Sequence, residues 1–505
     1  MNQVDVLIVG AGPTGLVLAL WLTKQGIPVR IVDSAPGPGT TSRAMVVQAR
    51  TLELYRQLDL ADAVVAAGYK NPSIHLWVKG RPKAEVSFGM VGKNVTAYPF
   101  VLVFPQDQHE RLLVERLSAA GVTVDRHTTL VDFEDTGERV VARLRTTDGV
   151  DEQCEARFIA GCDGARSQVR HTIGASFDGG TYQQLFYVAD VEATGLASDG
   201  GINIALDTAD FVALFAYGHE GGHRFIGTVR DDRAKDPQAL TFDDVSHHAI
   251  ENLGLTIGKV NWFSTYRVHH RVTDRFRKGR AFLLGDAAHV HSPAGGQGMN
   301  TGIADAINLA WKLAMVLRGD ASDSLLDTYQ TERLAFARRL VDTTDRLFTF
   351  VSAEGSFADF VRTRIAPAVA STAFNIDAVR EFMFRTISQT NTSYHDSALS
   401  SGRAGNVQGG DRLPWLGHEG VDNHAPLDAI AWQVHVYGAA STALVTWCQG
   451  RKIPLRQFDW RPSFEKAGFE EGASYLVRPD GYVGLVEPRA NTGKMEAFIA
   501  GLRAR

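Results

Sequence analysis

The chain holds 505 residues, 44% hydrophobic and 22% charged, a globular composition that excludes a disordered or fibrous protein. Lys and Arg number 52 against 57 Asp and Glu, a formal net charge of −5, too balanced for a nucleic-acid scaffold or a membrane-surface protein. At roughly 150 residues per domain the length predicts two to four domains; glycine is the one outlier, 49 of 505 residues, which points to turns and close backbone approaches.

Val6 to Leu22 carries no charge, but Gly-Ala-Gly-Pro interrupts it and no basic stretch precedes it, so neither a signal peptide nor a membrane span is expected. The pattern instead reads as a buried parallel strand at Val4–Val9, a turn Gly10-Ala11-Gly12-Pro13-Thr14-Gly15, and a helix from Leu16 to Gly26. Gly10 permits the tight turn, Gly12 admits a pyrophosphate to the backbone, and Gly15 lets helix and strand pack closely. The helix N-terminus supplies partial positive charge for that anion. A second apolar run, Val29–Val32, ends at Asp33, where an acid accepts ribose hydroxyls. The order strand, glycine turn, helix, strand, acid predicts dinucleotide binding.

Further along, 70–105 and 180–265 alternate apolar and polar residues between glycine-rich turns, as antiparallel strands do. Phe158–Ser167 is another strand entering a glycine turn, with Ser167 placed to cap a helix. Arg280–Leu284 is a third, leading through Gly285-Asp286 to the run Pro293–Gly302 and a helix that includes Asp305, Asn308 and Trp311. The composition from Ser322 to about Thr390 is helical, Ser400–Gly405 reads as a linker, and strand signals resume at Ala443–Trp447. Ser474–Gly484 predicts a hairpin closed by Pro-Asp-Gly. Cys154, Cys162 and Cys448 form no CxxC pair, so a reduced, cytoplasmic setting is expected. Neither HExxH nor Gly-x-Ser-x-Gly occurs, and no metal site or serine nucleophile is expected.

Together the motifs at 10–15, 163–164 and 285–302 resemble the FAD-dependent aromatic hydroxylases, the class A flavoprotein monooxygenases. The His-Ser-Pro-x-Gly-Gly-x-Gly-Met-Asn wording is similar to the phenol hydroxylase and pentachlorophenol 4-monooxygenase branch, with bacterial polyketide hydroxylases nearby. The resemblance covers about residues 1–350. It implies an α/β fold: a Rossmann-like FAD-binding domain of glutathione-reductase type (1–70, 106–180 and 266–395) with an inserted substrate-binding β-sheet (71–105 and 181–265). Gly409–Pro414 and the Val-Arg-Pro-Asp-Gly-Tyr-Val run further resemble the thioredoxin-like C-terminal domain of phenol hydroxylase, implying such a domain at 400–505. With no CxxC at Cys448, that domain is expected to be structural or dimer-related, with a homodimer as the assembly.

The same resemblance assigns roles. Gly10, Gly12, Pro13, Thr14, Gly15 and Asp33 would hold the ADP half of FAD, although Glu is the commoner family choice where Asp33 stands. Asp163 is associated with FAD and NADPH, Gly285 and Asp286 with the ribityl chain, and Gly298, Met299 and Asn300 with the ring, while Arg43 and Gln106 match FAD contacts. Arg43, Pro293, Gly295 and Gly296 would border the reacting region, and His75, Trp77, Phe215, Tyr217, Phe225 and Pro293 are candidate substrate-lining residues. In this family NADPH or NADH reduces the flavin, O2 adds at its C4a carbon, and one oxygen passes to an electron-rich ring. The expected partner is a small aromatic molecule, with no nucleic acid or membrane. Baeyer–Villiger, epoxidising and decarboxylating or dehalogenating variants share the motifs, and a flavin-sequestering protein without turnover is the non-enzymatic alternative. Because no second Gly-x-Gly-x-x-Gly unit exists, the nicotinamide would bind in a groove of the FAD domain.

Overall fold

The computed structural model describes residues 2–39, 44–195, 201–206, 211–217, 222–229, 239–245, 247–292, 296–352, 376–417 and 420–504. The chain opens with β1 (Asn2–Val9), α1 (Pro13–Lys24), β2 (Val29–Val32) and α2 (Ala49–Arg56). Next come β3 (Ser73–Val78), β4 (Arg81–Ser87), β5 (Val124–Asp125), β6 (Asp151–Gly161) and α3 (Gln168–Ile173). A long meander follows: β7 (Asp178–Gly195), β8 (Ile202–Leu206), β9 (Phe211–Ala216), β10 (Gly222–Val229) and β11 (Leu255–Val272). β12 (Ala281–Leu283), α4 (Gly298–Leu317) and α5 (Asp327–Ser352) complete the first part of the chain.

β12, β6, β1, β2 and β5 lie side by side, all parallel. β1 can occupy the middle because Val6, Leu7 and Ile8 are buried on both faces, as a parallel strand covered by helices requires. α1 is also buried all round, from Leu16 to Leu22, and packs against α4. The crossovers therefore bring the loops after β1, β2, β6 and β12 to one edge of the sheet, where such folds bind ligands.

The second sheet is built on β7 and β11, both 18 residues long and paired antiparallel. Its order continues through β10, β9, β8, β3 and β4, with only β8 and β3 parallel among these pairs. On β7, Tyr187, Ala189 and Val191 enter a core with Leu214, Phe225, Phe242 and Leu253. Their neighbours Phe186, Val188 and Asp190 occupy the other face, since side chains alternate along a strand.

The C-terminal part runs β13 (Gln433–Tyr437), α6 (Thr442–Arg451), β14 (Leu455–Phe458), β15 (Ser474–Val477), β16 (Val483–Glu487) and α7 (Thr492–Ala504). Its sheet order is β14-β13-β15-β16, with β13 and β14 parallel and the other pairs antiparallel. Two readings from the sequence are corrected here. Ala443–Trp447 is helical, not a strand: the Ser441 hydroxyl caps the Leu444 N–H, and Leu444 and Cys448 meet the core at helical spacing. Ser400–Gly405 is no free linker, because Ser401 bridges Leu485 and Arg403-Ala404 pairs with Val407-Gln408. The hairpin at 474–484 is present as expected. No helix among the described residues is long and apolar enough to cross a membrane.

Two histidines sit deep in these cores. Among the described residues neither ring nitrogen of His435 has a partner, and burial lowers its pKa to about 3; burial takes His109 to about 3 as well. Both are neutral in the fold yet accept a proton at about pH 6.5 once unfolded. Their contribution is therefore complete above about pH 6.5 and is lost as pH falls toward the folded values, at about 1.4 kcal/mol per pH unit per histidine. Urea denaturation at pH 7.5 and 5.0 should show this loss, and His435→Phe should lessen it. Equal loss in the variant and the parent would remove His435 from the account.

Candidate active site

At the ligand-binding edge the glycine turn is held by contacts that leave no alternative backbone. Gly10 has φ +102°, and a Cβ there would lie 2.3 Å from the Cys162 carbonyl oxygen. A Cβ on Gly15 would lie 2.0 Å from the Gly10 carbonyl oxygen. Gly12 differs: nothing stands within 4 Å of the Cβ position, its backbone is ordinary at φ −76°, and no side chain caps the α1 N-terminus behind it. Asp33 accepts from the N–H groups of Ala11 at 2.6 Å and Ala35 at 2.7 Å, tying the end of β2 to the turn.

Thr14 joins this turn to the third motif. Its Oγ1 lies 2.7 Å from the Cβ position of Gly285 and 2.3 Å from that of Gly302, so the Thr side chain fills the space that two missing side chains leave. Asp286, next to Gly285, is exposed at this edge. From the second motif, Asp163 Oδ2 accepts from the N–H groups of Gln168 and Val169, and Ser167 caps α3 as expected. Asp163 Oδ1 is buried without a partner among the described residues, and burial pushes the carboxyl pKa up.

Beneath the motif lies a buried carboxylate. Asp305 Oδ2 accepts from Gly285 N at 3.0 Å and His289 Nε2 at 2.8 Å, and its Oδ1 accepts from Arg333 Nε at 2.6 Å. Burial opposes its charge, but Arg333 and His289 hold the pKa below the usual carboxylate value. His289, stacked on Phe276, is thus a satisfied structural histidine. His291 differs: burial pulls its pKa to about 4, and its Nε2 has no partner among the described residues.

Asn300 is spent on protein contacts. It accepts from Gln48 N and Thr51 Oγ1 and donates to the carbonyls of Val46 and Gly296, fixing the start of α2 against the start of α4. Gly296, at φ +62°, lies against Val46. Gln106 N donates to the Ala44 carbonyl, and its side chain donates to Glu110. Pro13 is buried at the start of α1, Gly298 begins α4, and half-buried Met299 packs on the core. Arg43, Pro293 and Gly295 lie outside the described residues.

Val46 also connects the cradle to the second sheet, for it shares an apolar cluster with Met45, Ile74, Ile202, Phe215 and Tyr217. The alternation divides the candidate substrate residues accordingly. Phe215 and Tyr217 lie on the face that packs on the Val46 cluster. Phe225 and Trp77 pack into the core on the opposite face, where Trp77 Nε1 bonds Asn203. His75 bonds Ser73 at 2.8 Å on that side too.

Three residues on the Val46 face escaped the sequence reading. Arg224, 2% exposed, meets Asp190 through Nε and Nη2, both at 2.6 Å, and its guanidinium lies 5.6 Å from the Tyr217 ring and 5.7 Å from the Trp262 ring. Burial, then the charge of Asp190, raises the Tyr217 pKa to about 12. The signal existed in the period-2 pattern of 186–190, but only the β7–β10 register brings Asp190 opposite Arg224. Arg126, just after β5, was also missed. Its Nη1 lies 3.9 Å from Asp33 Oδ2, and its buried Nη2 has no partner among the described residues.

Residues 3–344 match the FAD binding domain family. The chain belongs to that family. It is 34% identical to the 6-methylpretetramide 4-monooxygenase of Streptomyces rimosus, over 99% of this chain and 93% of that one. It is 30% identical to the pentachlorophenol 4-monooxygenase of Sphingobium chlorophenolicum, over 81% and 75%. Among solved structures, the anhydrotetracycline hydroxylase OxyS of Streptomyces rimosus superposes with a TM-score of 0.79 at 25% identity, covering 100% of this chain and 99% of that one. The protein is an FAD-dependent monooxygenase, drawing on O2 and a nicotinamide reductant.

The cradle fits FAD: open space at Gly12, an uncapped helix end, an exposed acid at 286 and an orphaned oxygen at Asp163. Among the described residues no group of three or more His, Cys, Asp or Glu could hold a metal ion. Two glycine variants separate fold from cofactor. Gly12→Ala should leave the apoprotein stable to within about 0.5 kcal/mol yet weaken FAD binding at least tenfold. Gly15→Ala, pressed against a backbone oxygen, should lose more than about 2 kcal/mol of stability as well. Fluorescence titration of apoprotein with FAD and thermal melting decide it; unchanged FAD affinity in Gly12→Ala would remove that glycine from the phosphate site.

Proposed function

We propose that the enzyme hydroxylates a fused-ring phenol, bound between the FAD cradle and the inner face of the second sheet. The observation that carries this reading is the wall of Phe215, Tyr217 and Trp262 around the neutral Arg224–Asp190 pair, joined to the cradle through Val46. Relatives aligned over almost the whole chain are named for 6-methylpretetramide and anhydrotetracycline, which supports a fused ring over a single one.

Bound FAD supplies the transfer of electrons from the reductant and the activation of O2. The chain's own residues do the rest. Gly12, the α1 N-terminus, Asp33 and Arg126 would hold the ADP half, and Asp163, Asp286 and Gly298 the remainder, with Arg43, Gln106 and the 293–296 segment beside the ring. Asn300, Met299, Pro13 and Thr14 shape that site from below. Arg224 and Asp190 cancel each other's charge, so the wall receives an uncharged aromatic without stranding an ion. Tyr217, whose hydroxyl donates to Asp190 and stays protonated at neutral pH, accepts a hydrogen bond from a phenolic hydroxyl and sets which ring carbon faces the flavin. The packed aromatic wall excludes water, which would otherwise divert activated oxygen.

The same reading makes residues 400–505 a thioredoxin-like domain, supported by the order β-α-β then β-β-α and the arrangement β14-β13-β15-β16. Cys448 is buried there, and burial raises its pKa to about 11, so the domain does no thiol chemistry. Unpaired cysteines and a need for NAD(P)H support a cytoplasmic setting. A homodimer completes the reading; light scattering would give twice the chain mass.

NAD(P)H consumption by the holoenzyme should rise with fused-ring phenols, more than with single-ring phenols, and one atom of ¹⁸O2 should appear in a ring hydroxyl. Oxygen inserted beside a carbonyl would replace hydroxylation with a Baeyer–Villiger reaction, and no stimulation by any phenol would overturn the reading. Tyr217→Phe should raise KM roughly tenfold for loss of one hydrogen bond with kcat changed less. A KM equal to the parent's would exclude Tyr217 from binding.

A further inference from the structure

We infer that the C-terminal turn Arg478–Tyr482 is a positioning element for the flavin cradle. It acts through two adjacent residues of α5, Glu332 and Arg333. Arg478 is wholly buried. Its Nη1 and Nη2 donate to Glu332 at 2.7 and 3.0 Å, while Nε and Nη2 donate to Asp480 at 3.0 and 2.7 Å. The Trp311 indole N–H of α4 donates to Asp480 Oδ2 at 3.0 Å. Glu332 is further held by Lys312, Asn308 and Ser397. The next residue, Arg333, grips Asp305, the Thr301 carbonyl and the Tyr394 hydroxyl. Asp305 in turn receives the N–H of Gly285, the residue before Asp286.

A second route leaves the same turn. The Asp480 carbonyl accepts from Arg50 Nη2 at 2.6 Å, and Arg50 pairs with Glu53, which also binds Arg412. Those contacts set α2, whose first turn Asn300 ties to α4. The turn therefore bears on the cradle from below through α5 and from the side through α2.

Stability alone is a weak explanation for this arrangement. Replacing a buried ion pair by packed apolar groups is often neutral or stabilising. What a bidentate pair adds is direction: planar donors accept a carboxylate in one orientation, so the turn sets where α4 and α5 stand relative to each other. Asp286 and the α4 N-terminus stand on those supports.

Arg478→Met and Asp480→Asn test the inference, with Arg478→Lys as the conservative variant. Val486→Ala, in the separate C-terminal core, controls for simple loss of stability. For each, FAD affinity is read by titrating apoprotein, the absorption spectrum and midpoint potential of bound flavin are recorded, and the thermal midpoint is measured. Arg478→Met should bind FAD at least tenfold more weakly and move both the spectrum and the potential. Arg478→Lys should recover part of that loss, and Asp480→Asn should weaken FAD about threefold or more. Val486→Ala should melt earlier with FAD affinity within twofold of the parent. Should Arg478→Met fail to fold, Asp480→Asn decides. The inference is overturned if the folded turn variants keep parental FAD affinity and potential, or if Val486→Ala alters both as much at equal loss of thermal midpoint.

Discussion

A carboxylate sealed from water must be answered by donors or it forfeits its charge, and Asp305 is answered by Gly285 N, His289 and Arg333. Removing one partner of such a buried pair costs about 3–5 kcal/mol, because the other charge is left unanswered. The three donors come from the turn after β12, the short strand His289–Val290 beyond it and a distant helix. One side chain thus dictates how three elements meet. Above it, Thr14 fills the gap between Gly285 and Gly302, so the first glycine turn inherits the same placement. The part of the cradle around Gly285, Asp286 and Gly302 rests on this anchor.

The two halves of the site solve different electrostatic problems. The cradle offers backbone N–H groups and a helix end, partial charges suited to an anion. The sheet wall offers aromatic faces and an ion pair whose charges cancel. Period 2 separates that wall from the sheet's own core, since a one-residue shift along β7 would exchange Asp190 for Ala189 and expose the opposite set. On the proposed reading, specificity for a ring and stability of the sheet are written into alternate residues of the same strands.

Much of the cradle was legible because its signals are local. Gly10, Gly12 and Gly15 stand within one turn, and Asp33 ends the next strand, so spacing alone conveys their geometry. The family wording then extended the reading to Gly285 and Asp286. Ala443–Trp447 misled because an apolar, β-branched run fits a strand or a buried helix equally well; the Ser441 cap decided the matter. The sheet candidates divided for a comparable reason: Phe215 and Phe225 look alike until strand register assigns each a face. Arg224 with Asp190, and Glu53 with Arg412, pair across tens to hundreds of residues, and nothing in local spacing marks one charged residue as another's partner.

The separation of those partners also bears on how the protein is made. Glu53 is 359 residues from Arg412, and Gln48 is 252 from Asn300. At about 5–20 residues per second, Glu53 leaves the ribosome tens of seconds before Arg412, the second of its counter-charges, exists. Thr14 likewise emerges long before either glycine it fits between. The α2 segment, translated early, therefore completes its contacts only when the C-terminal part has emerged.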